Sequence, residues 1–330
     1  MNARARIVGT GSFMPEKIMT NHDLEKIVDT SDEWITTRTG IRERRIAGPD
    51  EPSSVMGAKA ALNALEDAGV SAQDIDMVLV ATMSPDYFMP STAALIQAKI
   101  GAVKAGAIDA EAACTGFIYA LSVAKAYIES GMYQNILVVG VEKLTPLLNY
   151  EDRNTCVLFG DGAAAAVVSN QGAGLALDSI CLGADGELGD LLIIPGGGCR
   201  HPATHESVDQ KLHTVRMDGK EIFKHAVRKM TASAQECLTK AGLTDKDIDW
   251  MVPHQANIRI IEAIAKNFSL PEDKVYKTLH KYGNTSAASV AIALDELLKE
   301  VQLVKDQRIL LVAFGGGLTW GASVLTRIES

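Results

Sequence analysis

Residues 65–80 read LEDAGVSAQDIDMVLV, and residues 238–253 read LTKAGLTDKDIDWMVP. Ala68-Gly69 recurs as Ala241-Gly242, and Asp74-Ile75-Asp76 recurs as Asp247-Ile248-Asp249, each 173 residues later. Each copy reads as a helix stopped at glycine, a short turn and a buried strand. Further along, Ile136-Leu137-Val138-Val139 returns at the same offset as Ile309-Leu310-Leu311-Val312. Both runs follow helical segments, 117–130 and 287–300. Chance matches occur in any α/β chain, but two blocks sharing one offset point to a duplication. Strands alternating with helices of this length predict an α/β fold built from βαβ units around a parallel, buried sheet. Two similar halves are expected, 1–170 and 171–330.

Between the shared elements, 183–217 is the least periodic stretch and contains Gly196-Gly197-Gly198. It reads as a mobile loop or flap near the site. Gly9-Thr10-Gly11 lacks the third glycine and the downstream acid of a dinucleotide fingerprint and reads as a turn.

Bulk properties narrow the class. A chain of 330 residues, 47% hydrophobic and 22% charged, is neither disordered nor fibrous. Residues 1–8, MNARARIV, lack the apolar run of a signal peptide, and no stretch is long and apolar enough to span a bilayer. The expectation is a cytoplasmic protein with no membrane association. Five cysteines (Cys114, Cys156, Cys181, Cys199 and Cys237) form no CxxC pair and read as reduced thiols. Cys199, His201 and His205 have ligand chemistry, but Pro202 disrupts helical presentation, so no metal is expected. A net charge of −9 speaks against nucleic acid as a partner.

Cys114 lies where a strand-like run from Ala107 meets a helix that is apolar on nearly all sides. At a helix N-terminus, free N–H groups and the dipole favour thiolate, which predicts a lowered pKa and a nucleophile. His254 follows the apolar run Trp250–Pro253, where α/β folds assemble sites, and Asn284 precedes a helix in KYGNTSAAS. Taken singly, these two could be a core imidazole and a helix cap. Cys114 and Asn284, however, occupy corresponding parts of the two repeats, which would bring them toward one central site. Trp34 and Arg38 are i, i+4 on a short helix that a capping box at Thr30-Ser31-Asp32-Glu33 would start.

Six longer motifs follow in order: TSDEWITTRTGIRERR (30–45), AACTGFIYAL (112–121), FGDGAAA (159–165), HQANIRI (254–260), GNTSAAS (283–289) and FGGGLTWGA (314–322). In these the chain resembles the β-ketoacyl-acyl-carrier-protein synthase III family, the initiating condensing enzymes of bacterial type II fatty-acid synthesis. The resemblance implies a thiolase-like fold, two pseudo-repeated βαβ halves layered α-β-α-β-α. It implies that Cys114 carries an acyl group from acyl-CoA. His254 and Asn284 would serve decarboxylation of malonyl-acyl-carrier protein, and the N–H groups of Cys114 and Gly316 would form an oxyanion hole. It further implies coenzyme A binding by Trp34, Arg38 and Arg153, and an acyl pocket at Met89, Leu158 and Phe159, with Met89 reaching across a homodimer interface. Acyl carrier protein would dock on Lys224 and Arg259, in regions that also carry Arg228 and Lys266. No cofactor beyond these substrates is implied. Glu111, three residues before Cys114, departs from the family pattern and would oppose thiolate formation unless paired.

Alternatives differ in class. A relative transferring another acyl group for a specialised product separates only by primer preference. A Cys-His-Asn hydrolase shares the residue types, but the repeat and the FGGGLTWGA ending speak against it. A non-catalytic scaffold is disfavoured because Cys114, His254 and Asn284 are all present.

Overall fold

The computed structural model describes residues 4–268 and 270–329. The first three residues of the N-terminal stretch considered above lie outside this range. Helix Ser53–Ala68 ends at Gly69 (φ 63°), a 3-10 turn spans Ala72–Asp74, and strand Met77–Ala81 follows. In the second copy, helix Gly219–Lys240, Gly242 (φ 71°), turn Asp245–Asp247 and strand Trp250–Pro253 repeat the series. The repeated aspartates make equivalent contacts. Asp76 Oδ2 accepts from Asn135 N at 3.0 Å, and Asp249 Oδ2 accepts from Arg308 N at 2.8 Å. Each ties the turn to the first residue of the next strand, Asn135–Glu142 or Arg308–Gly315.

A nine-stranded sheet runs in the order Trp250–Pro253, Arg308–Gly315, Thr319–Ile328, Gly174–Ala184, Arg6–Phe13, Gly162–Ser169, Asn135–Glu142, Met77–Ala81, Gly106–Ala110. The two sides meet at a short antiparallel pairing, Arg6 with Ala176 and Ile7 with Leu175. Residues alternate between faces along each strand, as the pleat requires. Val78 and Val80 face the helices Ser53–Ala68 and Thr92–Ile100, whereas Leu79 faces inward. In the other half, Leu310 and Val312 face Gly219–Lys240 and Ile258–Asn267, whereas Ile309 and Leu311 face inward. Between the inward faces lie helices Gly116–Glu129 and Ala288–Glu300. Two outer cores and one central core, which covers both faces of the central helices, fill the spaces between five layers, α-β-α-β-α. The central helices are apolar nearly all round because both their sides are covered. Leu121 is wholly buried there, and truncating it to alanine would cost about 2–5 kcal/mol.

Three sequence expectations need correction. The sheet is mixed rather than parallel: only Met77–Ala81 with its two neighbours and Trp250–Pro253 with Arg308–Gly315 run parallel. Short returns such as Gly315 to Thr319 cannot make a crossover, so they produce antiparallel pairs. Gly9-Thr10-Gly11 is strand, not turn. A Cβ on Gly11 would sit 2.3 Å from Ala64 N, so the missing side chain lets helix Ser53–Ala68 lie directly on the sheet. The 183–217 stretch is also more regular than expected, with a 3-10 segment at Gly186–Leu191, a two-stranded pairing of Leu192–Ile193 with Arg216–Met217, and helix His205–Asp209.

Candidate active site

Strand Gly106–Ala110 leads into a 3-10 turn, Ala113–Thr115, that holds Cys114 immediately before helix Gly116–Glu129. Ala113 takes a positive φ of 43°, which turns the chain sharply into the helix. Opposite, strand Arg308–Gly315 ends against this turn: a Cβ on Gly315 would lie 2.7 Å from Cys114 N. Glycine is required there for the two backbones to meet. Gly316, the expected oxyanion donor, comes next and lines the same cavity as Cys114.

Cys114 is buried, and burial pushes its thiol up to about 12. The Ser286 hydroxyl pulls it down, while the charges of Glu142 and, less strongly, Glu111 push it further up. This overturns the expectation of a thiol lowered by the helix dipole. A helix end is worth roughly 1 kcal/mol, under one pKa unit, too little to offset removal from water. Glu111 itself is exposed and accepts the Ala113 N–H at 3.1 Å.

His254 follows strand Trp250–Pro253 and donates its own N–H to Val312 O at 2.8 Å. Burial lowers its imidazole to about 3, so the ring is neutral. Ser289 Oγ sits 2.5 Å from Nδ1 and accepts from Gln255 N at 3.4 Å. The Ser289 O–H is placed to donate to Nδ1, an arrangement in which the ring proton sits on Nε2. Asn284 pairs with Phe159 in a parallel bridge, donating its N–H to Leu158 O at 2.8 Å. Its Oδ1 accepts from Ser286 N at 2.8 Å, and its Nδ2 has no partner among the described residues. Nearby, the buried Arg44 donates to Asn21 Oδ1 at 2.9 Å and Val157 O at 2.8 Å, pinning the TGIRERR segment beneath Leu158-Phe159.

Cys114, His254 and Asn284 all line one cavity of about 730 Å³, which also reaches Leu158, Phe159, Trp34 and Arg38. A second cavity of about 460 Å³ opens from Cys114 and Phe159 and is walled by Met83, Leu144, Leu192, Ile194 and Val215. Met89 lines neither cavity and is 87% exposed. At the mouth, the guanidinium groups of Arg38 and Arg153 lie 4.7 and 5.1 Å from the Trp34 ring centre. Arg153 also donates to Asp29 O at 3.0 Å. Helix Asp32–Thr39 starts differently from the expected capping box. Ser31 is the cap and accepts from Trp34 N at 3.1 Å, while Glu25 Oε1 accepts from Asp32 N at 2.6 Å. The third residue after Ser31 is tryptophan, so no reciprocal carboxylate exists.

Lys224 is exposed on helix Gly219–Lys240 and pairs with Glu221 at 2.6 Å. Arg259, on the adjacent helix Ile258–Asn267, donates to Thr37 O at 3.3 Å, which ties it to the Trp34 helix. Sequence reasoning missed Ser289, although it closes the GNTSAAS motif, and it missed Leu144 and Val215, whose apolar character carried no local signal. Cys199 is exposed, and among the described residues no His, Cys, Asp and Glu cluster could hold a metal ion. No described helix is long and apolar enough to cross a membrane.

The chain matches the family models described as 3-oxoacyl-[acyl-carrier-protein (ACP)] synthase III, over residues 108–186, and its C-terminal counterpart, over 238–327. Fold and match together define an acyl-transferring condensing enzyme of the thiolase fold. It is 58% identical over 326 residues to a beta-ketoacyl-[acyl-carrier-protein] synthase III of Chlamydia trachomatis serovar D, covering 98% of this chain and 100% of the relative. The chain belongs to the β-ketoacyl-acyl-carrier-protein synthase III family. A Caldanaerobacter subterraneus subsp. tengcongensis relative of the same name is 56% identical, with 97% of each chain covered. The crystal structure of the 3-oxoacyl-[acyl-carrier-protein] synthase III of Aquifex aeolicus VF5 superposes with a TM-score of 0.90 at 47% identity, covering 98% of this chain and 100% of that one. The initiating condensation of type II fatty-acid synthesis, which the motifs implied, is the function of this family.

Proposed function

We propose that Cys114 takes the acyl group of an acyl-CoA primer, acetyl-CoA in the simplest case, and that malonyl-acyl-carrier protein then loses CO2 and attacks the acyl-cysteine. The products are 3-oxoacyl-acyl-carrier protein, CO2 and CoA. One observation carries this reading: Cys114, His254 and Asn284 share a cavity whose mouth holds Trp34 and Arg38. A neutral His254 with its proton on Nε2, beside the free amide of Asn284, suits donation to a developing enolate oxygen and not proton abstraction. The Cys114 and Gly316 N–H groups would stabilise the oxyanion of acyl transfer.

Trp34, Arg38 and Arg153 offer planar and cationic surfaces for the nucleotide of coenzyme A. Lys224 and Arg259 would meet the acidic carrier protein. The exposed Tyr87, Phe88 and Met89 form an apolar patch that supports a homodimer in which Met89 enters the partner's acyl pocket. The division into halves 1–170 and 171–330 and a cytoplasmic location belong to the same reading. The second cavity has room for chains longer than acetyl. Incubation with a panel of acyl-CoAs, followed by the mass added to Cys114, tests the reading and ranks the primers. Absence of any adduct on Cys114 would overturn it.

A further inference from the structure

If Cys114 is the acyl carrier and its N–H and that of Gly316 form the oxyanion hole, as proposed above, the two donors must stand at a fixed separation. They belong to opposite halves of the chain. One lies on the turn Ala113–Thr115 and the other just past strand Arg308–Gly315, so no local hydrogen-bond pattern sets the distance between them. Two threonine hydroxyls cross that gap. Thr115 Oγ1 lies 2.6 Å from Ala112 O and 2.7 Å from Thr319 Oγ1. Thr319 Oγ1, at the start of strand Thr319–Ile328, lies 2.9 Å from Gly316 O and 3.1 Å from Ala112 O. Oxygens 2.7 Å apart repel unless a proton lies between them, so one hydroxyl donates to the other. The remaining proton goes to a backbone carbonyl, Ala112 O or Gly316 O. In every such arrangement the turn that carries the nucleophile is bonded to the hairpin in which Gly315 pairs with Thr319.

The carbonyls reached are well placed for control of the donors. Ala112 C=O belongs to the peptide unit next to the one that bears the Cys114 N–H, and Gly316 C=O to the unit next to the one that bears the Gly316 N–H. Thr115 is wholly buried and stands at the start of helix Gly116–Glu129, where a threonine commonly caps free N–H groups, yet it makes no cap bond. Its hydroxyl points across the gap instead. Neither threonine lines either cavity, whereas Cys114 and Gly316 do, so the hydroxyls act on backbone and not on an acyl group. We propose that the Thr115–Thr319 hydroxyl pair is a positioning clamp that holds the Cys114 and Gly316 N–H groups at the separation an acyl-transfer oxyanion needs.

The competing role is structural: the pair would stabilise the fold and nothing more. Rapid-quench acylation by acetyl-CoA over a range of concentrations, read by mass at Cys114, separates the two. A displaced donor weakens the transition state without weakening primer binding. The maximal acylation rate should therefore fall about 10- to 100-fold in Thr115→Val and Thr319→Val, with the half-saturating acetyl-CoA concentration unchanged. The double variant should be about as slow as Thr319→Val, because both changes break one bond. Thr319→Ser, which keeps the hydroxyl, should acylate close to the wild-type rate. CO2 release from labelled malonyl-carrier protein by pre-acylated enzyme, which draws on His254 and Asn284, should not change. Valine variants as fast as wild type, an equal loss in CO2 release, a rise in the half-saturating concentration alone, or a serine variant as slow as the valine one would each overturn the clamp. Should the valine variants fail to fold, Thr319→Ala, at a half-buried position where it can introduce no clash, decides in their place. Failure of the underlying reading looks different: wild type itself would carry no adduct.

Discussion

The central helices Gly116–Glu129 and Ala288–Glu300 hold corresponding places in the two halves, and neither start is capped by its own side chain. They nevertheless bring different chemistry to the cavity. The first is preceded by a buried, protonated thiol, whereas the second is preceded by Asn284 and Ser286 and carries, in its first turn, the Ser289 that bonds His254. Two equivalent helix ends thus present different groups, a thiol at one and neutral polar side chains at the other. The outer layers differ too. Helices Ser53–Ala68 and Thr92–Ile100 carry Lys59 and Lys99 alone as cations, whereas Gly219–Lys240 and Ile258–Asn267 carry Lys220, Lys224, Arg228, Lys229, Lys240, Arg259 and Lys266. Among the outer helices, cations are concentrated on the second pair.

The sharpest way to break this division is to remove the nucleophile. Cys114→Ser should lower acyl-enzyme formation by at least about three orders of magnitude, because a serine hydroxyl ionises far less readily than a thiol. Intact-protein mass spectrometry checks this, and an undiminished adduct would take Cys114 out of the chemistry.

On the other side of the cavity, His254→Ala and Asn284→Ala should each slow malonyl decarboxylation about 100- to 1,000-fold, the cost of losing one well-placed donor to an oxyanion. Acylation should remain measurable in both. Rapid-quench acylation and CO2 release from labelled malonyl-carrier protein separate the two steps. Equal loss in both would make His254 a base for the cysteine and abolish the contrast between the halves.

A smaller effect tests the outer layers. Charge reversal at Lys224 and Arg259 together should raise KM for malonyl-carrier protein about tenfold at low salt, less at high salt, with primer transfer unchanged. Reversing Lys59 and Lys99 should change neither. Steady-state kinetics at two ionic strengths would show whether the basic half is the docking half.

The smallest expected effect is none. Burial lowers His254 from 6.5 to about 3, so the ring stays neutral throughout the range from about pH 5 upward. CO2 release by pre-acylated enzyme should therefore show no inflection near 6.5 that disappears in His254→Ala. If one appears, the imidazole titrates and its surroundings are wetter than the fold implies.

Much of this was legible before the structure. The repeat at 65–80 and 238–253 located matching helices, turns and strands, because helix stops and buried strands are written in local patterns. Cys114, His254 and Asn284 stood at junctions that the structure does bring to one cavity. The strand at Gly9-Thr10-Gly11 was misread because its glycines answer to a helix more than fifty residues away in sequence, not to a turn. Met89, named by resemblance as an acyl-pocket residue, lies exposed on the surface, outside both cavities.

By itself, the sequence determined the matching helix, turn and strand series at 65–80 and 238–253 and the family to which the chain belongs. Tertiary structure decided which strands run antiparallel, that Ser289 bonds His254, and that the thiol is raised and not lowered. The reason is physical. Secondary structure follows from neighbours along the chain, whereas a pKa or a hydrogen-bond partner depends on water exclusion and on groups brought together from distant positions.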